Sequence, residues 1–322
     1  MSQEREWLIM KRAITFIDLL AFSNYVRDNP QEAINLFDNY NNILKVKITD
    51  EKINPISSYT NSLREIAETK SINSFEYFIP FSDSIFISSQ KPNKFVKQLS
   101  SFLIDCFKFT SDEYINPENK NKPTEVRVKI PRLDENKKLN FEEELQNWFP
   151  VLFRGGISFG EAYPTKLISI FDSEPQIINN LVGKPVVKAV KLEQEVKGPL
   201  IVCDCNFYDE LNKNIKYFFK KIKNKNLYKL LWPAFNYIKA NNEDEIRKFD
   251  ELFYPAVSLW KANNHKSYSM HYFNFLKLVV ESSLRFFDNI GELSFAKNYI
   301  SKQIKYKDLD NKIEELYGSY SV

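Results

Sequence analysis

The chain has 322 residues, 43% of them hydrophobic and 15% aromatic, which is ample apolar surface for a buried core and excludes disorder as a description of the whole. Its 45 Lys and Arg against 42 Asp and Glu leave a net charge of +3, too little to argue for nucleic acid as a partner. With only 2 His and 3 Cys, a three-His zinc site and a Cys-x-x-Cys site are both excluded, so carboxylates, Lys, Arg and backbone groups must carry any chemistry. The odd cysteine count (Cys106, Cys203, Cys205), the polar start Met1–Glu6 and the lack of a spanning apolar run predict a cytoplasmic protein with no signal peptide and no membrane segment.

In chain order, residues 12–18 read as a buried strand ending in the carboxylate of Asp18. Ala33, Ile34, Phe37, Tyr40 and Leu44 have the spacing of one helix face over 30–45, and a second helix is expected at 58–69. Two apolar runs, 74–81 and 84–89, flank Ser82-Asp83, which predicts a hairpin with Asp83 at its tip. A helix is expected over 92–108. Residues 110–147 change texture to Asn, Lys, Glu and Pro and read as an insertion with one short strand at 125–130. Strands return at 151–162 and 166–171, then a helix at 185–196 and a strand at 199–204. From 207 onward the pattern is helical, with segments near 207–223, 243–261 and 268–289, and Gly291 sits where a helix C-terminal glycine would. Five of the 7 glycines fall between Gly155 and Gly198, which marks the middle of the chain as the place for tight turns or close backbone approach. This order predicts an α+β protein with a mostly antiparallel sheet backed by helices.

If the first strand and the hairpin are neighbours, Asp18 and Asp83 converge at one end of the sheet. Two carboxylates without His or Cys suit Mg²⁺ or Mn²⁺, whose coordination is completed by substrate phosphates. Alternatively, Asp18 caps the following helix and Asp83 is a turn residue. Arg154 is either a phosphate ligand or a strand arginine paired to a carboxylate. The run Lys220-Lys221-Ile222-Lys223-Asn224-Lys225 reads as a solvated helix face rather than an RNA site, and His265 and His271, six apart, do not have the spacing of a metal pair on a helix.

Four segments stand in order: Phe16-Ile17-Asp18-Leu19-Leu20-Ala21-Phe22-Ser23; Phe81-Ser82-Asp83-Ser84-Ile85; Phe153-Arg154-Gly155-Gly156-Ile157-Ser158-Phe159-Gly160-Glu161; and Gly183 to Glu193. Over residues 10–205 they resemble the class III nucleotidyl cyclases, and more closely the bacterial pyrimidine cyclases of Pycsar antiphage systems. The resemblance implies a ferredoxin-like catalytic domain, placed over 1–206 with the insertion at about 110–147, and leaves the helical extension read over 207–322 unaccounted for. It implies a homodimer with active sites at the subunit interface, while charge and the lack of an apolar span predict no nucleic acid or membrane partner. By the same resemblance Asp18, Asp83 and the Leu19 carbonyl would hold two Mg²⁺ or Mn²⁺ ions. The turn Leu19, Leu20, Ala21, Phe22 and Ser23, with Arg154, would bind the triphosphate.

The resemblance breaks on the helix after Gly183, where the family's Asn and transition-state Arg align with Val187 and Lys191; Lys191 supplies charge but no bidentate fork. The purine-reading Lys and Asp align with Ile79 and Asn180, and Asn180 can pair with uracil or cytosine. The implied reaction is UTP to cyclic UMP and pyrophosphate, ahead of CTP to cyclic CMP, with the product acting on a separate effector. A cyclase-fold protein that binds a nucleotide without turnover is the rival from another class, and a purine cyclase is a second.

Overall fold

The computed structural model describes residues 10–20, 22–28, 30–53, 55–111, 125–133, 139–147, 150–171, 174–237, 243–264 and 269–320. Strand β1 (Met10–Leu19) leads through α1 (Phe22–Asp28), α2 (Pro30–Ile53) and α3 (Asn61–Lys70) to the hairpin β2 (Tyr77–Phe81) and β3 (Ser84–Ser89). Next come α4 (Pro92–Ser111), the ribbon β4 (Glu125–Leu133) and β5 (Leu139–Asn147), then β6 (Phe153–Phe171) and β7 (Glu174–Val182). Helix α5 (Lys184–Gln194) precedes β8 (Ile201–Asp204), the short helices α6 (Cys205–Asp209) and α7 (Lys213–Lys216), and β9 (Phe219–Lys221) and β10 (Leu227–Leu230). Helices α8 (Lys248–Asn263), α9 (Ser269–Asn289), α10 (Leu293–Tyr306) and α11 (Ile313–Tyr317) close the chain. No helix among the described residues is long and apolar enough to cross a membrane.

The chain divides into two compact units: Met1–Leu20, Lys47–Phe102 and Phe153–Trp232 form one, and Ala21–Val46, Leu103–Leu152 and Pro233–Val322 the other. The first unit holds a sheet in the order β2-β3-β1-β6-β8-β10-β9, with β7 paired to β6 off this path. β1 is antiparallel to both β3 and β6, so β2-β3-β1-β6 has the connectivity and order of a ferredoxin-like sheet. The expected α+β class is met. β8 joins β6 in parallel after the crossover through α5.

Both faces of β1 are covered. Ala13, Ile14, Thr15 and Ile17 have no exposed surface, which is why the strand reads as a continuous apolar run rather than an alternating one. On one face Phe102 of α4 stacks on Phe153 with ring centroids 6.2 Å apart. On the other, α5 covers a cluster of Ile14, Ala162, Leu181 and Ala189.

Helix α5 seats this closely because Gly156 has no side chain. A Cβ there would lie 2.3 Å from the Ala189 carbonyl oxygen and 2.9 Å from the Glu193 nitrogen, both backbone atoms. Gly183, before the helix, is equally constrained: a Cβ would meet the Glu161 oxygen at 2.6 Å. These are the close approaches that the glycine clustering predicted. Gly156→Ala must push the α5 backbone off the strand and is expected to cost about 3 kcal/mol, read as a lowered denaturant midpoint at unchanged slope.

Three expectations are corrected. The 207–223 segment is not one helix: Phe219–Lys221 and Leu227–Leu230 extend the sheet, and the lysine run lies on β9 and its turn, not on a helix face. Asn224, with φ of 60°, makes that turn. Residues 174–182, given no strand in the sequence reading, pair along β6 from Phe171–Glu174 to Tyr163–Val182. The 110–147 segment carries two paired strands, β4 and β5, where one was expected.

In the second unit α9 is buried around most of its circumference and packs with α8, α10 and α11. Phe107 and Phe275 meet edge to face at 4.6 Å, and the Tyr237 and Ser283 hydroxyls share a buried hydrogen bond of 2.6 Å. Gly291 follows α9 with φ of 83°, and its N–H donates to the Asp288 oxygen at 3.2 Å, as a terminating glycine should.

Candidate active site

Strand pairing places three polar residues in one row across the sheet. Asp18 on β1 lies opposite Ser84 on β3 and opposite Arg154 on β6, so their side chains share the face that α5 covers. The Ser84 hydroxyl donates to Asp18 Oδ1 at 2.7 Å, and Arg154 Nη2 stands 3.6 Å from Asp18 Oδ2. Asp83 occupies the two-residue turn between β2 and β3, with Ser82 in the left-handed region at φ of 55°. The Leu19 N–H donates to the Asp83 carbonyl at 2.9 Å and ties that turn to the end of β1.

The electrostatics of this row disfavour the charged form of Asp18. Burial, reinforced by the charges of Asp83 and Glu193, raises the Asp18 carboxyl to about 6 against the opposing pull of the Ser84 hydrogen bond and Arg154. Glu193 on α5 is only 4% exposed and ion-pairs with Arg154 through Nε. Arg154 thus pairs with carboxylates, as one of its two sequence readings holds, while remaining 26% exposed.

The donor set fits a hard divalent cation. It consists of carboxylate and backbone oxygens, and a cation between the two aspartates would offset the burial and the like charge that raise Asp18. Among the described residues no group of three or more His, Cys, Asp or Glu side chains is placed to hold a metal. A cation here would therefore take two carboxylates and complete its sphere from a carbonyl, water or substrate phosphate.

The remaining sequence candidates are dispersed. Leu20 is 7% exposed. Ala21 lies outside the described residues, as does His265. Phe22 and Ser23 open α1 in the second unit, where the Phe22 ring meets Phe37 at 4.8 Å and Ser23 is exposed. Asn180 pairs with Thr165, on the order of 30 Å along β6 from Arg154, and its Oδ1 accepts from the Leu181 N–H at 2.8 Å. Val187 and Lys191 are exposed on α5, while Glu193 is turned toward the sheet. Ile79 packs against the apolar cluster under α5. Within one chain the structure assembles Asp18, Asp83, Leu19 and Arg154, leaves Asn180 far along β6, and leaves Lys191 exposed on α5.

Sequence reasoning assigned no role to Ser84 or Glu193. Ser84 had no distinct signal beyond following Asp83. Glu193 had one: it lies in the buried stripe Pro185, Ala189, Leu192 and Val196, and an acid in such a stripe needs a cationic partner.

No family model and no curated protein matches the chain. Among solved structures it is similar to an adenylate cyclase from Trypanosoma brucei in its monomeric state, at 14% identity and a TM-score of 0.39, over 72% of this chain and 93% of that one. The adenylyl cyclase CyaB from P. aeruginosa is similar at 15% identity and a TM-score of 0.37, over 68% and 93% of the two chains. The catalytic core of a rhodopsin-guanylyl cyclase with converted specificity is similar at 13% identity and a TM-score of 0.36, over 69% and 95%.

Proposed function

We propose that the chain is a metal-dependent nucleotidyl cyclase that acts on a pyrimidine nucleoside triphosphate, UTP ahead of CTP. The observation that carries this reading is the convergence of Asp18 and Asp83 at the end of β1, with Arg154 in register beside them. Cyclisation requires a ribose 3′-oxygen to lose its proton and attack the α-phosphorus in line, with pyrophosphate leaving. Two Mg²⁺ or Mn²⁺ ions, held by Asp18, Asp83 and the Leu19 carbonyl, would supply the acidity at the 3′-hydroxyl and neutralise the phosphates.

The chain's own residues do the rest. The Ser84 hydrogen bond fixes the orientation of Asp18. Arg154, at the mouth of the row, offers N–H donors to the phosphate oxygens. Much of the remaining work is folding one substrate into attacking geometry, since nucleophile and electrophile belong to the same molecule.

Two features support a homodimer. Asn180, the candidate for base recognition, lies far along β6 from Arg154, and Lys191, the candidate for transition-state charge, is exposed on α5 rather than turned to the sheet. The face beside the Asp18 row also carries the half-buried Phe16 and Phe86, 4.9 Å apart. A second copy would bring the two sets together. Resemblance to the Pycsar cyclases supports a cytoplasmic signalling role in antiphage defence, with the cyclic nucleotide acting on a separate effector. Val187 and Lys191, where the resembled family has Asn and Arg, favour a second reading, a nucleotide-binding protein without turnover.

The test incubates the protein with each of the four ribonucleoside triphosphates and Mn²⁺ and identifies products by mass spectrometry, with Asp18→Ala as blank. Cyclic UMP or cyclic CMP is the expected product. Cyclic AMP or cyclic GMP would overturn the pyrimidine assignment, and metal-dependent binding without any product would leave the binding protein as the reading.

A further inference from the structure

Arg154 is held at two points. Its Nε edge pairs with Glu193, whose carboxylate is buried between α5 and the sheet, while Nη2 stops 3.6 Å from Asp18 Oδ2. That second separation is an ion pair longer than a hydrogen bond, so the guanidinium faces Asp18 without a direct hydrogen bond to it. Without an anchor on its Nε side, an arginine directly across the strand from a buried carboxylate would close the gap into a charge-assisted pair. Such a pair would cancel the carboxylate and withdraw the donors from any phosphate. The anchor itself is placed by backbone. Gly156 lets α5 lie so close to β6 that the Glu193 nitrogen would be 2.9 Å from a Cβ at that position.

From this geometry we infer that Glu193 is a positioning residue: it acts through Arg154, holding the guanidinium off Asp18 and turned toward a polyphosphate. The inference rests on the nucleotide reading above and deepens it. It assigns to Glu193 a role in binding that is separable from fastening α5 to the sheet. A fastening role alone would change stability and leave anion affinity to Arg154 unchanged.

The probe is inorganic tripolyphosphate with Mn²⁺, titrated calorimetrically into wild type, Glu193→Gln, Arg154→Gln and the double variant, each checked by its thermal midpoint. Glu193→Gln should weaken binding about tenfold, and the double variant should bind no worse than Arg154→Gln alone. Glu193→Asp, which keeps the charge on a shorter stem, should recover part of the loss. If Arg154→Gln does not fold alone, Arg154→Lys replaces it in the cycle. Wild-type affinity in Glu193→Gln, or losses that simply add in the double variant, would overturn the inference while leaving the nucleotide reading in place. Failure of the wild type to bind tripolyphosphate would overturn both.

Discussion

Asp18→Ala is expected to lower cyclic nucleotide formation by at least about 10³-fold, and Asp83→Ala by a similar factor. The size of the effect follows from how few donors the site has. Among the described residues no third acidic, His or Cys side chain completes a metal-binding group with these two. Removing either carboxylate would leave one side-chain carboxylate to hold ions that two would otherwise hold. Neither substitution should harm the fold. Asp18 is a carboxylate that burial and Asp83 already penalise, so its removal relieves a repulsion at the cost of the Ser84 hydrogen bond. Product formation measured by mass spectrometry, alongside thermal midpoints within a few degrees of wild type, checks both halves. Full activity in either variant would remove the two-metal assignment.

The parts of the fold legible in the sequence were those governed by local pattern. β1 announced itself as a mostly apolar segment ending in Asp18, and the β2–β3 hairpin as two apolar runs about Ser82-Asp83. The convergence of Asp18 with Asp83 depended on those strands being neighbours, which the pairing of Asp18 with Ser84 provides. Where pattern failed, pairing partners far away in sequence decided the outcome. Phe219-Lys220-Lys221 alternates too briefly to separate strand from helix, and it becomes a strand because Leu227–Leu230 lies between it and β8. β7 is almost entirely exposed and has no buried face to imprint a period; its backbone pairing with β6 holds it. The role of Glu193 was illegible for a related reason. Its partner Arg154 is thirty-nine positions earlier, and only the seating of α5 on Gly156 joins them.

The second large effect concerns two inactive proteins that restore each other. Within one chain Lys191 is exposed on α5 and Asn180 lies far along β6 from Arg154. If the site is completed by a second copy, Asp18 comes from one subunit and Lys191 from its partner. A heterodimer of Asp18→Ala with Lys191→Ala then contains one site with both defects and one with neither. Each variant alone should be inactive. Mixing them equally and letting subunits exchange should recover about a quarter of wild-type activity, since half the dimers are mixed and each has one intact site of two. Such recovery is possible only when the two residues act on the same substrate from different chains. No recovery, in a mixture shown by native mass spectrometry to contain heterodimers, would confine the site to one chain and remove Lys191 from it. The pair Asp18→Ala with Asn180→Ala makes the same demand of the base-binding residue. There the recovered product should carry the same base as the wild-type product, because the intact site retains its own Asn180.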